Sequence, residues 1–207
     1  TVFTQGPPSG GGVVLINALN VLESFNLNKY KENSAVTYHL IAEALRKGHH
    51  ARSRNVGDPE FYDAPISSLI DKKHAREHAQ KIKFNSALPA DEIKPIEVIN
   101  ESRDTTHYSI IDKEGNAVSN TYTLGYSFGS GVTIPGTGIL MNNQMNNFAF
   151  KYGDASEISR SSSPGNRFEP GKRPMSTMNP VIVKNKDNDI SLITGSPGGS
   201  FIPAAAL

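Results

Sequence analysis

The apolar residues of this chain change their spacing at Tyr108, and no single layer of secondary structure satisfies both halves. Upstream they recur every three or four positions, as on a helix with one buried face. "GGVVLINALNVLESF" puts Val14, Ala18, Leu22 and Phe25 on one stripe, and "SAVTYHLIAEALRKG" does the same with Val36, Leu40 and Ala44, with Gly48 as the expected closing residue. A third helix is expected over residues 66–83, with Leu69, Ala75, Ala79 and Ile82 inward. "NSALPADEIKP" then reads as a proline-broken linker. From Tyr108 the period drops to two: "HYSIID", the turn "KEGN" and "AVSNTYTL" favour β-branched and aromatic residues, as hairpin strands do. "NPVIV", the polar turn "KNKDND" and "ISLITG" form a second hairpin. A mostly helical first half followed by β-hairpins is an α+β pattern, and no segment repeats. Between the hairpins, residues 151–173 are polar and rich in Ser, Gly and Pro. They are too long for an idle connector, so a mobile surface loop and candidate lid is expected there.

Composition narrows the partners. At 207 residues, 37% hydrophobic and 20% charged, the chain fits one globular domain or the central piece of a larger one. Its formal net charge of +1 is spread among interspersed acids and bases, which leaves no electrostatic footprint for nucleic acid or an anionic membrane. The absence of cysteine excludes disulfides and thiolate metal sites. No apolar run is long enough to span a bilayer. The opening "TVFTQGPPSGGG" lacks the charged-then-apolar order of a signal peptide, so either export is not encoded in these residues or the relevant end lies outside them.

Three stretches could carry chemistry. "HAREH", His74 to His78, matches a pattern that sets two imidazoles on one helix face around zinc, but its charged surroundings are those of an ordinary solvated helix. His49 and His50 follow Arg46 and Lys47 at what reads as a helix end, where cations suit the macrodipole. "GSPGGS", residues 195–200, follows directly on a strand. Small residues there can aim backbone N–H groups at an anion, or simply make a tight turn. Lacking the Lys of a phosphate loop, the stretch does not favour nucleotide. The third is Asp104-Thr105-Thr106 at the start of the first hairpin. A threonine hydroxyl is a weak nucleophile unless a base adjoins it, and a threonine made N-terminal by a chain cut supplies that base in its own α-amine. The same residues also suit a plain strand start.

"TTHYSIIDKEGNAVSNTYTLGYSFGSG", "GILMNNQMNNF", "GKRPMSTMNPVIV" and "TGSPGGS" resemble, in order and spacing, the small catalytic subunit of γ-glutamyltranspeptidases. "PPSGGG", "NVLESFNLNKY" and "ARSRNVGDPEF" are similar to the end of the same family's large subunit, so the resemblance covers essentially the whole chain. It implies a four-layer αββα sandwich of the N-terminal-nucleophile hydrolase type, made as one precursor that cuts itself. It divides the chain into residues 1–104, the end of the large subunit, and 105–207, the start of the small one, together one structural domain. The cut falls at Asp104–Thr105, and Thr105 becomes the nucleophile that attacks γ-glutamyl amides such as glutathione and passes the acyl group to water or to an amino acid or peptide. Thr123 matches the residue whose hydroxyl orients the nucleophile. Gly198 and Gly199 match the oxyanion pair, Ser176 and Thr177 a Ser-Ser pair that grips the substrate α-carboxylate, and Gln144 a polar residue near the α-amino group.

No metal or organic cofactor is implied. Export to the periplasm or outside is, as are an Arg upstream of residue 1 and a small subunit that continues past Leu207. Two positions depart from the family pattern: Asn147 stands where Asp is usual, and Gly125 where Asn is usual. Both serve the substrate's α-ammonium, so the departures lean toward the related acylases that remove glutaryl groups. Two readings from other classes stay open. An unprocessed, non-catalytic relative would keep the fold and remain one chain, and a zinc protease built on "HAREH" would lose activity to chelators.

Overall fold

The computed structural model describes residues 1–89, 104–150 and 161–207. The helical layer forms where the periodicity places it. Helix α1 spans Gly11–Leu22 and buries Val13, Val14, Leu15, Ala18, Val21 and Leu22. Helix α2 spans Ala35–Asn55, and at its start the Ser34 hydroxyl accepts the Thr37 N–H at 3.3 Å. Gly48 does not close it. The helix runs seven residues further, and Gly48 is where α1 crosses α2: a Cβ there would lie 2.8 Å from the Val14 carbonyl oxygen. A glycine chosen for close helix–helix approach looks, in sequence, like one chosen as a cap. His49 and His50 therefore lie inside the helix rather than at its end. Burial, then the neighbouring Arg52, pushes the His49 pKa down to about 4, so it is a neutral ring rather than a cation completing a dipole.

The expected third helix is two. Helix α3 covers Ile66–Leu69 and helix α4 covers Lys72–Ala79, with Asp71 between them accepting the His74 N–H at 2.9 Å as an N-cap. The carbonyls freed at the break are taken by α1: Asn17 Nδ2 donates to Leu69 O at 2.6 Å and Asn20 Nδ2 to Ile70 O at 2.7 Å. Ala18, Val21 and Leu22 of α1, Leu40 and Ala44 of α2, and Ala75, Ala79 and Ile82 then form one buried cluster. The beginning of the linker is tied to it, because Leu88 N–H donates to Glu43 Oε1 at 3.2 Å and Leu88 O accepts from Arg46 at 2.9 Å. The linker's remainder lies outside the described residues.

Both hairpins form. Strands β2 (Thr105–Ile111) and β3 (Ala117–Thr123) pair antiparallel from Thr105↔Thr123 to Ile111↔Ala117, and Asp112 accepts the N–H groups of Glu114 and Asn116 in the turn. Strands β4 (Val181–Lys184) and β5 (Ile190–Thr194) pair antiparallel with a register shift at Val183/Lys184. The glycine- and proline-rich opening holds a strand too short for periodicity to reveal, β1 (Val2–Thr4), which joins β4 in the register Val2↔Val183 and makes the sheet β1-β4-β5. Residues 128–143 fold back on themselves, with Ser130 N–H on Met141 O at 2.9 Å and Ile134 N–H on Ile139 O at 2.8 Å. A short helix, α5, covers Ile202–Ala206.

The polar stretch before β4 differs most from expectation. Residues 151–160 lie outside the described set, but 161–173 are not a mobile surface loop. Ser161, Ser163 and Asn166 are at most 1% exposed. Ser162 N–H donates to Ser53 O at 2.9 Å, Gly165 packs on the Tyr62 ring, and Arg173 binds Asp58 through its backbone N–H, Nε and an Nη at 2.8, 3.0 and 2.6 Å. Ser161 Oγ donates to the Ser53 carbonyl of α2 and Ser163 Oγ accepts the Gly165 N–H, so these two serines face protein instead of water, a distinction that composition does not carry.

Candidate active site

The register of the first hairpin sets Thr105 directly opposite Thr123. Thr123 Oγ1 accepts the Gly125 N–H at 3.0 Å, which leaves its proton free to point at the Asp104 carbonyl oxygen, 3.2 Å away. That carbonyl belongs to the Asp104–Thr105 peptide bond. The hydroxyl of Thr123 thus polarises one particular amide, beside a second hydroxyl on Thr105. Gly125 enables this with φ +100°, and any Cβ at 125 would collide with Asn143 Oδ1, which accepts the Tyr126 N–H at 3.0 Å. The Asn143 amide occupies the space that an Asn at 125 would need.

From Thr123 a one-way series of donors leads inward. Gln144 Nε2 donates to Thr123 O at 3.4 Å, Asn147 Nδ2 to Gln144 Oε1 at 2.6 Å, and Asn166 Nδ2 to Asn147 O at 2.7 Å. Gln144 is half-buried and Asn147 buried, so both candidate substrate-binding amides sit together and are locked to each other.

Ser176 and Thr177 come next to the glycine loop. Thr177 Oγ1 donates to Gly199 O at 2.9 Å, so its single proton holds that loop in place, whereas Ser176 Oγ accepts the Met178 N–H at 3.1 Å. Gly198 (φ +128°) and Gly199 (φ +56°) adopt conformations that side chains disfavour, and the hydrogen bonds they receive fall on their carbonyls, from Phe201 N–H and Thr177. The strand leading into this loop is set by a residue that pattern reading passed over, His107. Its Nδ1 lies 2.8 Å from Thr121 Oγ1 and its Nε2 3.1 Å from Ser109 Oγ, and its ring fills the space beside Gly195 where a Cβ would go. Burial lowers its pKa, consistent with a neutral ring shared between two hydroxyls. His107 and Asn143 lie inside stretches quoted for the resemblance but without a role there, and Asn166 lies outside them; long-range partners identify all three.

His74 is exposed and bonded to its own cap, and no group of three or more His, Asp or Glu suited to a metal occurs among the described residues.

This architecture has known counterparts. The cephalosporin acylase of Bacillus halodurans superimposes on 98% of the chain with a TM-score of 0.72 at 26% identity, matching 33% of that protein, and puts the chain in the N-terminal-nucleophile hydrolase class. The family model described as Gamma-glutamyltranspeptidase matches residues 1–207, and the chain belongs to that family. It is 42% identical over 207 residues to the glutathione hydrolase proenzyme of Escherichia coli (strain K12), covering 100% of this chain and 36% of that relative. It is 36% identical over 207 residues to the Acylase ACY 1 proenzyme of Pseudomonas sp. (strain SE83), covering 97% and 34%. The chain thus spans about a third of the length of the curated relatives it matches.

Proposed function

We propose that the protein containing this chain is a self-processing threonine enzyme that cleaves γ-glutamyl amides such as glutathione and passes the acyl group to water or an amino acid. The observation that carries this is the hydrogen bond from Thr123 Oγ1 to the Asp104 carbonyl oxygen, the carbonyl of the peptide bond whose nitrogen belongs to Thr105. In processing, Thr105 Oγ attacks the Asp104 carbonyl carbon, and Thr123 steadies the charge that develops on its oxygen. The C–N bond breaks as the C–O bond forms, and the Thr105 nitrogen takes the hydroxyl proton. Water then hydrolyses the ester, leaving an Asp104 carboxylate and a free Thr105 α-amine. That amine is the base for each later turnover: it receives the proton from Thr105 Oγ as the hydroxyl attacks the substrate amide, and delivers it to the departing amine. The N–H groups of Gly198 and Gly199 receive the oxyanion, and Ser176 meets the substrate carboxylate. Residues 1–104 and 105–207 are large- and small-subunit portions of one structural domain, held by β1–β4 pairing across the cut. The rest of the protein completes an αββα sandwich over the hairpins.

A second reading concerns the acyl group. With Asn147 Nδ2 bonded to Gln144 Oε1 and Asn143 filling the place of a side chain at 125, neither position offers a carboxylate to an α-ammonium. A glutaryl amide, which has the carboxylate but no amine, would suit this pocket, and the acylase relatives keep that reading open. Losing one charged partner costs about 1.5–3 kcal/mol, so kcat/KM for glutaryl- and γ-glutamyl-p-nitroanilide should agree to within about tenfold, and Asn147→Asp should shift the balance toward the γ-glutamyl compound. A preference of several hundred-fold in the unmodified protein removes this reading.

The primary test is intact mass and N-terminal sequencing of the full-length protein. Two chains, the second starting at Thr105, are expected, and Thr105→Ala should stay whole. A different start, cleavage in the alanine variant, or a chain that never divides overturns the assignment, the last in favour of a non-catalytic relative.

A further inference from the structure

We propose that Asn166 is a positioning residue of the substrate pocket, whose side-chain amide fixes the spacing between the 144–147 turn and the 175–177 segment. The inference rests on the proposed function, because those two segments hold Gln144, Asn147, Ser176 and Thr177. Asn166 is 1% exposed and ends a short turn over Pro164–Asn166. Its Nδ2 donates to the Asn147 carbonyl at 2.7 Å, and its Oδ1 accepts the Met175 N–H at 2.8 Å. Its own carbonyl accepts the Ala149 N–H at 3.0 Å. One buried residue thus bonds a segment on each side of the pocket, and both atoms of its amide are needed in one orientation. The turn that presents it is itself fixed to α2 and the residues after it, through Ser162 on Ser53 O and Gly165 against Tyr62. Pocket width is therefore referenced to the helical layer.

An aspartate at 166 would keep the acceptor for Met175 but turn an oxygen toward the Asn147 carbonyl oxygen, and an alanine would leave both partners buried and unbonded. Either change lets the two segments move relative to each other. Thr105 and Thr123 are set by the hairpin register and the bond to Asp104 O, whereas the glycine loop is held through Thr177 in the segment that Asn166 fixes, so binding should suffer most and the chemical step less.

The experiment compares unmodified full-length protein with Asn166→Asp and Asn166→Ala. Intact mass reports maturation, and kcat and KM are measured with γ-glutamyl- and glutaryl-p-nitroanilide. Both variants should mature, with KM raised about tenfold or more on the preferred substrate and kcat lowered by a clearly smaller factor. A fall in kcat with KM unchanged, or lowered thermal stability with both constants intact, overturns the proposal. If the alanine variant is insoluble, the isosteric aspartate decides. If the unmodified protein turns over neither anilide, the functional reading fails, and Asn166 is judged by amide hydrogen exchange. Faster exchange across residues 144–149 in Asn166→Asp upholds the bridging role, and unchanged exchange overturns it.

Discussion

The helical layer and the first hairpin treat their apolar residues in opposite ways. In α1, α2 and α4 the apolar stripes meet one another, and Val14, Ala18, Val21, Leu40 and Ala44 are wholly buried. In β2 and β3 four apolar residues point outward together, Tyr108, Ile110, Val118 and Tyr122 being 44–55% exposed on one face, while Ile111 ends the other face and is 56% exposed. The opposite face is lined by Thr105, His107, Ser109, Ser119, Thr121 and Thr123 and turns toward β5, with Ser119 Oγ donating to Thr194 O at 3.0 Å. One half spends its sequence on cohesion, the other on a layer of hydroxyls between two sheets. Stability and chemistry are thereby separated in space, and substitutions in one half should leave the other's property nearly untouched.

The sharpest attempt to break that separation is Thr123→Val, which removes the donor to Asp104 O while keeping the strand's shape. Self-cleavage should slow by about 100- to 1,000-fold with little change in melting temperature, followed by mass spectrometry against time. A large loss of stability would mean the hydroxyl layer also holds the fold. Next comes Asp58→Asn, which removes the buried one of Arg173's two carboxylate partners and leaves it Glu60. Because Arg173 is half-exposed and keeps Glu60, the loss in denaturant unfolding should be that of hydrogen bonds to a charged group, about 1.5–3 kcal/mol, while any cut chain still begins at Thr105. The hydrogen bonds from Arg173 hold the Asp58 carboxyl well below its usual range. A depressed carboxylate stabilises the fold above its unfolded value near 4, and that stabilisation is lost as pH falls further, so the asparagine variant should show a flatter stability curve in acid.

Gly48→Ala probes the α1–α2 crossing, where the new methyl would meet the Val14 backbone. The helices must separate, and a loss of about 1–2 kcal/mol in thermal unfolding is expected despite alanine's better helix propensity. The smallest effect belongs to His49, whose pKa is lowered to about 4. Folding keeps it neutral, so its contribution is complete above its unfolded pKa of about 6.5 and is lost as pH falls toward 4. His49→Gln should recover about 1 kcal/mol at pH 6 and nothing at pH 8, read by urea titration at both pH values.

What the sequence disclosed followed the range of the interactions involved. Helix and strand periodicity act over a few residues, so α1, the start of α2 and both hairpins were legible, as was the Asp104-Thr105 pair. The break between α3 and α4 was not, because Asn17 and Asn20, which accept its cost, lie some fifty positions away. The serines at 161 and 163 looked solvated because composition does not record that the Ser53 carbonyl awaits the first and the Gly165 N–H the second. Gly125 read as a lost contact, and only the fold reveals Asn143 standing in its space.

One strand has a further consequence. Val2–Thr4 lies within the first hundred residues yet hydrogen-bonds into a sheet made entirely by the last thirty, and nearby Gly10 N–H donates to Ser176 O while Ser176 N–H donates to Pro8 O. A hydrolysed bond at 104–105 would leave two polypeptides interlaced like clasped fingers, with separation requiring a backbone ladder to unzip. Such a pair would co-purify as one particle and part only in denaturant, so the covalent break would act as a change of connectivity without a change of shape.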